Sequence, residues 1–201
     1  MPELYSNKYR IASARKQDWD YSSDGGYFIT ICTRNRNDFF GKIVNGEMRL
    51  SAIGEIARDE LLKTPQIRKN ILLDEWIVMP NHIHSIFIIN NYKNSNAIVE
   101  TTGHPRRDDP YRDDPAGRPY KPADCIHNPP PTPTLKPNSL GSIIGQIKSI
   151  VTKRVWEMGY IDFGWQPRFH DHIIHNDGEL DRIRKYIYNN PKNWGNDKNN
   201  K

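Results

Sequence analysis

Residues 71–89, near the middle of the chain, read ILLDEWIVMPNHIHSIFII. Two runs rich in Ile, Val, Leu and aromatic residues, 71–78 and 82–89, flank the turn-like Met79-Pro80-Asn81. Such a composition on both sides of a short turn is typical of two β-strands. The sequence therefore predicts a pair of adjacent strands near the middle of the chain.

The second of these runs carries two histidines, His82 and His84. In a strand, residues two apart project from the same face. Two imidazoles on one face can bind a divalent cation, because each offers one ring nitrogen while a neighbouring group fixes the other. Ile86 and Ile88 would form a dry wall beside them. A His-x-His triplet is also common as a partly exposed polar patch, so the pair alone leaves both interpretations open.

The residues before this stretch predict a further strand, a hairpin and a helix. The β-branched and aromatic run 27–33 is typical of a buried strand. Asn45-Gly46 predicts a hairpin turn between strands at 39–44 and 47–50. Ser51 can cap a helix that Thr64-Pro65 would end.

The residues after the strand pair begin with an insertion and then return to regular structure. Ten of the 15 prolines lie between Pro105 and Pro137, so about 91–138 is predicted to be disordered or loosely extended. Apolar residues at helical spacing predict a helix from Ser139 to about Trp156. A loop or strand follows at 165–174, and a last helix begins near 177–179 and ends at Pro191. We expect one α+β domain over 1–201, with a mainly antiparallel sheet, interrupted by the insertion.

Composition sets wide limits on function. The chain has 201 residues with 29 Lys and Arg against 24 Asp and Glu, a net charge of +5. That balance permits a polyanionic partner without requiring one. The two cysteines have no disulfide or zinc spacing, and no membrane span or signal-peptide core is visible. A cytoplasmic protein is expected.

Tyr186 is the candidate nucleophile. It lies four residues before Asn190 in RKYIYNNP, so the two side chains share one helix face. A phenol can attack a phosphodiester and form a covalent phosphotyrosine, and a metal on the phosphate would assist it. Asn190 could add an oxygen ligand to the two histidines. Tyr188 is about 200° further around the helix and would not face the same site. The alternative for any single tyrosine is a packing role.

Several separated motifs resemble one known family. Trp76–His84 is similar to the signature of the HUH single-tyrosine transposases, in which two histidines flank a bulky hydrophobic residue. Trp165–Ile174 and Ile183–Pro191 resemble the C-terminal part of one branch, the REP-associated tyrosine transposases. The opening segments Tyr9–Ile11, Trp19–Tyr21 and Tyr27–Thr33 resemble it too, so the likeness spans nearly the whole chain outside the insertion.

This resemblance implies a fold, a cofactor and an activity. The fold would be a ferredoxin-like α+β sandwich with helices packed on the sheet. The activity would be cleavage and rejoining of single-stranded DNA, at hairpin-forming repeats, through a 5′-phosphotyrosine, with Mg²⁺ or Mn²⁺. By position, His82 and His84 match the metal ligands, Tyr186 the nucleophile, and Asn190 a further polar ligand, often Gln in relatives. Family members often dimerise, which leaves a homodimer open, and a DNA enzyme would be nucleoid-associated.

Several basic and aromatic residues are candidates for DNA contact. Basic side chains can neutralise the phosphate backbone of single-stranded DNA, and neighbouring aromatic side chains can stack on its bases. A solvated basic surface is an equally expected interpretation. The residues concerned are Arg10, Arg15, Lys16, Trp19, Tyr21, Lys148, Lys153, Arg154 and Arg168. For the cluster His170, His172 and His175, a structural or DNA-proximal role is favoured over metal binding.

Two rival functions remain at this stage. The first is a domesticated, non-transposing DNA-binding protein that recognises repeated hairpins. The presence of His82, His84 and Tyr186 together speaks against it, because a binder needs none of the three. The second is a replication-initiation or relaxase nuclease, in which the histidines and tyrosine are arranged differently.

Overall fold

The structure is a computed structural model that describes residues 16, 18–92, 136–197 and 199–200. Most of the proline-rich insertion predicted at 91–138 therefore lies outside the described residues, as do Arg10 and Arg15. That the chain forms one domain around such an insertion stays a prediction.

Strands and helices alternate along the described residues. The strands are β1 (Gly25–Cys32), β2 (Gly41–Val44), β3 (Glu47–Leu50), β4 (Ile71–Val78), β5 (His82–Ile89) and β6 (His170–Ile174). The helices are α1 (Ala52–Ile67), α2 (Leu140–Glu157) and α3 (Asp177–Asn189), and short 3-10 turns occupy Arg34–Arg36 and Trp194–Asn196. Among the described residues, no helix combines the length and apolar character needed to cross a membrane.

The main sheet has the strand order β4-β5-β1-β6, and every neighbouring pair is antiparallel. Along the chain its elements follow the order β1, α1, β4, β5, α2, β6. This is the ferredoxin-like arrangement, with the β2–β3 hairpin inserted before α1 and α3 added at the end. The predicted α+β class and mainly antiparallel sheet are confirmed.

The two faces of β5 have different neighbours. Ile83, Phe87 and Ile89 belong to the main hydrophobic core, together with buried residues of α1 and α2. His82, His84 and Ile86 alternate with them and therefore project from the opposite face. All three are buried, with exposed fractions of 0%, 1% and 0%. The period-two pattern thus places the imidazole pair on the sheet face away from α1 and α2.

The hairpin turn and the first helix cap match the prediction, whereas the helix end does not. Asn45 and Gly46 have φ values of 53° and 76°, as a type I′ turn requires. The Ser51 side chain accepts a hydrogen bond from the Gly54 amide at 3.1 Å. The predicted stop at Thr64-Pro65 is wrong, because α1 continues through Pro65 to Ile67. Pro65 has no amide donor, but the helix continues for two residues beyond it, and the Arg68 amide donates to the Thr64 carbonyl at 2.9 Å.

Helix α3 is attached to the sheet at the edge strand β4. The pairing of β4 with β5 shifts register between Leu73 and Trp76. Asp74 lies at this irregularity and accepts hydrogen bonds from Nε and Nη2 of Arg184 at 2.7 and 2.6 Å. A β-bulge can re-aim a side chain in this way. The contact fixes α3 two residues before Tyr186.

Candidate active site

The imidazoles of His82 and His84 face each other at the N-terminal end of β5. The Nε2 atoms of His82 and His84 lie 3.0 Å apart, and the ring centroids are 4.4 Å apart. Both side chains are buried. The rings therefore converge on one small volume next to the sheet.

Asn81 fixes the orientation of the His82 ring. Its Nδ2 donates hydrogen bonds to the carbonyl oxygens of Arg36 and Asn199, at 3.1 and 3.0 Å. The amide oxygen of Asn81 must then be the atom that lies 2.9 Å from Nδ1 of His82. Because an amide oxygen only accepts, Nδ1 carries the proton and Nε2 keeps its lone pair. His82 is thus held in the tautomer that can bind a cation through Nε2.

Thr30 plays the corresponding part for His84. The two residues are register partners on β1 and β5, and Thr30 Oγ1 lies 2.9 Å from Nδ1 of His84. With Nδ1 engaged by the hydroxyl, Nε2 is the ring nitrogen turned towards His82. Hydrogen bonds to the far ring nitrogen are the usual way in which proteins orient histidine ligands.

Tyr186 reaches this pair from α3. Its hydroxyl oxygen lies 3.3 Å from Nε2 of His84, within the same chain. The Tyr186 ring stands edge-on to Phe28 at a centroid distance of 6.1 Å. Tyr188 is 68% exposed, and its ring lies below Nζ of Lys192. The helix geometry therefore brings one of the two tyrosines to the imidazoles.

The protein surroundings shift the pKa of the Tyr186 hydroxyl upwards. Burial raises the pKa of this phenol, and the negative charge of Asp197 raises it further, while a hydrogen bond with Asn190 opposes the rise. A phenol with a raised pKa is a poor nucleophile at neutral pH. Chemistry at this position would need charge withdrawal from the substrate side.

The C-terminal tail supplies a group that sequence reasoning missed. Asp197 follows the turn Trp194–Asn196, and its carboxylate, with the ring nitrogens of His82 and His84, forms a set of ligand atoms within 4.8 Å of one another. Trp194 covers His82 at a ring-centroid distance of 5.8 Å. No spacing rule links an aspartate in a polar tail to a histidine pair on a strand, so Asp197 could not be predicted as a ligand from its sequence context.

Asn190 lies in the same cluster but is engaged through its nitrogen. Its Nδ2 donates to Oδ2 of Asp197 at 3.0 Å. Its Oδ1 is buried and has no hydrogen-bond partner among the residues that the structure describes. An unpaired buried acceptor is costly, and a cation is one group that would satisfy it.

This donor set fits a divalent cation. Two imidazole nitrogens and a carboxylate oxygen lie around one volume, and an unsatisfied amide oxygen lies beside them. Carboxylate and amide oxygens suit Mg²⁺ and Mn²⁺, whereas imidazole suits Mn²⁺ and later transition metals better than Mg²⁺.

Several residues considered for DNA contact lie elsewhere. Helix α2 covers the opposite face of the sheet, where Arg154 forms an ion pair with buried Glu60 at 2.5 Å. Lys148 donates to the carbonyl oxygens of Gln166 and Arg168, at 2.7 and 3.0 Å. Burial lowers the pKa of Lys148 to about 8. The structure thus gives Lys148 and Arg154 packing and pairing roles on that face.

The other aromatic and basic residues divide between core and surface. Tyr21 is 8% exposed within the hydrophobic core, so the stacking role considered for it is replaced by a packing role. The Trp19 indole N–H donates to the Tyr27 hydroxyl at 3.3 Å, and Nζ of Lys16 lies over the Trp19 ring. Lys153 is 78% exposed on α2. Arg168 lines a cavity that Thr30 also lines.

The second histidine cluster is tied to the start of α3. His172 Nε2 lies 2.7 Å from a carboxylate oxygen of Glu179, whose other oxygen accepts from the His175 amide. These bonds lower the pKa of the Glu179 carboxyl. The arrangement supports a structural role at the helix N-terminus.

Comparison with known proteins places the fold. No family model matches the chain. An uncharacterized protein of Haemophilus influenzae is 29% identical over 189 residues, which cover 92% of this chain and 90% of that protein. The structure of a REP-associated tyrosine transposase bound to a REP hairpin matches with a TM-score of 0.53 and 20% identity, over 92% of this chain and 75% of that one. The resemblance seen in the motifs extends to three dimensions, and the chain has the fold of that transposase.

Proposed function

We propose that this protein is a metal-dependent, single-tyrosine DNA transposase that cleaves and rejoins single-stranded DNA through Tyr186. The observation that carries the proposal is the 3.3 Å distance between the Tyr186 hydroxyl and Nε2 of His84. A nucleophile and a metal-binding pair have to meet within this range for the phenol to attack a metal-bound phosphate. One chain brings the two together without a second copy.

We assign the cation, Mg²⁺ or Mn²⁺, to His82, His84 and Asp197, with Asn190 beside them. When bound, it would withdraw charge from the scissile phosphate and stabilise the departing 3′-oxygen. Asp197 and the two imidazoles would hold it, while Asn81 and Thr30 keep the rings in position. Asp197 thus joins the two histidines in the ligand set, and Asn190 Oδ1 is the additional oxygen available.

The reaction exchanges one ester for another. Tyr186 Oη forms a bond to phosphorus and loses its proton, while the bond between phosphorus and the 3′-oxygen breaks. The 3′-oxygen takes up a proton and leaves as a hydroxyl, so the 5′-phosphate stays on the tyrosine. Attack by a second 3′-hydroxyl reverses the step and joins the strands. No external energy source is needed, because the phosphotyrosine keeps the bond energy.

The proposed substrate is single-stranded DNA beside a hairpin. The transposase whose fold this chain shares was solved with a REP hairpin. The net charge of +5 is compatible with a polyanion. The DNA flanking the gene, inspected for inverted repeats, would supply the first hairpins to test.

A covalent-adduct gel tests the proposal. A labelled hairpin oligonucleotide with single-stranded extensions should become attached to the wild-type protein in Mn²⁺ and not in EDTA. Tyr186→Phe should abolish the adduct and keep DNA binding, whereas Tyr188→Phe should form it normally. Hairpin binding without any adduct would favour the DNA-binding protein that does not transpose. Strand nicking by Tyr186→Phe would refute the nucleophile assignment.

A further inference from the structure

A cavity of about 200 Å³ adjoins the imidazole pair on the side of β6. Its walls include Thr30, Arg36, Arg168, Phe169, His170 and Asn199. A bound water occupies about 30 Å³, so the cavity has room for a group much larger than one water. Its lining differs from that of the metal site, because it includes two arginines.

Asn199 provides an independent sign that the cavity takes a ligand. Its side chain is 2% exposed, and its Nδ2 has no hydrogen-bond partner among the described residues. Its backbone is well held, since the amide donates to Oδ1 of Asp197 at 2.6 Å and the carbonyl accepts from Asn81 at 3.0 Å. A buried donor left unpaired on a fixed backbone calls for an acceptor in the adjacent space.

The chemistry of the lining selects an anion with many acceptor oxygens. Arginine guanidinium groups carry several donors and no acceptor, and they match the oxygens of a phosphate. Arg36 and Arg168 supply two such groups, and His170 adds a ring that can donate. Phe169 offers an aromatic surface of the kind on which single-stranded bases stack.

The cavity shares two walls with the candidate active site. Thr30 lines the cavity and lies 2.9 Å from Nδ1 of His84. Asn199 lines it too and is hydrogen-bonded to Asp197. Arg36 has a φ of 56°, a conformation uncommon outside glycine, and Asn81 donates to its carbonyl. Backbone strain of this kind is often kept at binding sites.

We propose that this cavity binds the nucleotide that adjoins the scissile phosphate, with Arg36, Arg168 and Asn199 Nδ2 holding its phosphate and Phe169 its base. The proposal rests on the proposed function for the identity of the substrate. The cavity would thereby set the position of the strand before the chemical step.

The test is an NMR titration of the metal-free full chain in EDTA with a short oligothymidylate. The Asn199 side-chain amide and the Nε–H groups of Arg36 and Arg168 should shift on binding. Thymidine, which lacks a phosphate, should leave the two arginine signals in place. Arg168→Ala should raise the dissociation constant about tenfold, which corresponds to the free energy of one hydrogen bond to a charged group.

Arg58→Ala is the matched control. The substitution removes the same charge, and Arg58 lies on α1, on the other side of the sheet. Unmoved Asn199 and arginine signals at saturation would overturn the proposal, as would equal weakening by Arg58→Ala and Arg168→Ala. Covalent attachment does not enter this experiment. Failure of the wild-type adduct together with shifted signals would therefore count against the proposed function and leave binding in the cavity supported. Unmoved signals with normal adduct formation would count against the cavity alone.

Discussion

The carboxylate of Asp74 accepts two hydrogen bonds from the guanidinium of Arg184, at 2.7 and 2.6 Å. The pair connects α3, which carries Tyr186, to the edge strand β4. Tyr186 follows Arg184 by two residues on α3. The position of its hydroxyl relative to His84 therefore depends on a contact made outside the site. The planar fork of arginine makes this contact specific, since a lysine can offer only a single point of attachment.

We expect Arg184→Lys to slow covalent attachment by roughly 10- to 100-fold, because a displacement of about 1 Å at a reacting group has effects of that size. DNA affinity should change little, since the charge is kept. The rate of adduct formation in single-turnover gels measures the effect. Arg182→Lys, an exposed position on the same helix, is the control and should react at the wild-type rate. Equal rates for both variants would show that the contact does not position Tyr186.

The same pair predicts a dependence of stability on pH. The hydrogen bond from Arg184 holds the pKa of the Asp74 carboxyl below its ordinary value. A lowered folded-state pKa stabilises the fold above the unfolded value of about 3.9, and this contribution is lost as pH falls through the lowered pKa. The difference in unfolding free energy between wild type and Asp74→Asn should therefore be present at neutral pH and shrink in strong acid. Denaturant unfolding across that range measures it. A difference that stays constant down to the acid limit would contradict the assignment.

Asp197 should matter for metal binding. Asp197→Ala removes a charged oxygen ligand, and we expect Mn²⁺ affinity to fall at least about tenfold, the loss seen even for groups that only orient ligands. Titration of Mn²⁺ followed by electron paramagnetic resonance gives the affinity directly. Asp59→Ala on α1 removes an equal charge far from the site and serves as the control. Unchanged Mn²⁺ binding by Asp197→Ala would exclude the tail from the ligand set.

Asn81 should control the tautomer of His82. In the metal-free wild type, nitrogen-15 NMR should show the His82 proton on Nδ1. Asn81→Ala should mix the two tautomers and lower Mn²⁺ affinity by about 10-fold. Asn70→Ala, another buried asparagine, is the control for a general loss of stability and should leave both quantities unchanged. A His82 proton found on Nε2 in the wild type would disprove the orientation argued from the amide.

Much of the fold could be predicted because its signals are local. The alternation of Ile83, Phe87 and Ile89 with His82 and His84 follows from the two-residue period of a strand, and the turn at Asn45-Gly46 follows from steric freedom at positive φ. Pro65 shows where local rules stop. Its missing amide predicts a helix end, yet α1 continues to Ile67, and the Arg68 amide still donates to the Thr64 carbonyl.

The residues of the candidate site also fall into those that local patterns predict and those that depend on tertiary contacts. His82, His84, Tyr186 and Asn190 could be named because residue type and short spacing place them on shared faces. Asp197 could not, since its approach depends on how the tail folds back after Pro191. The core position of Tyr21 and the pairing of Arg154 with Glu60 were equally beyond sequence reasoning, because each reflects which face of an element meets the sheet.

Local patterns in the sequence are enough to predict which strand presents two imidazoles and which helix carries the phenol, because side-chain direction within one element follows from its period. The folded chain adds three relationships: the phenol meets the imidazoles within one chain, Asp197 joins them, and Asn199 lines a cavity beside them. Those relationships join segments far apart along the chain, and their distances are set by sheet order and by contacts such as Arg184 with Asp74, which no local pattern encodes.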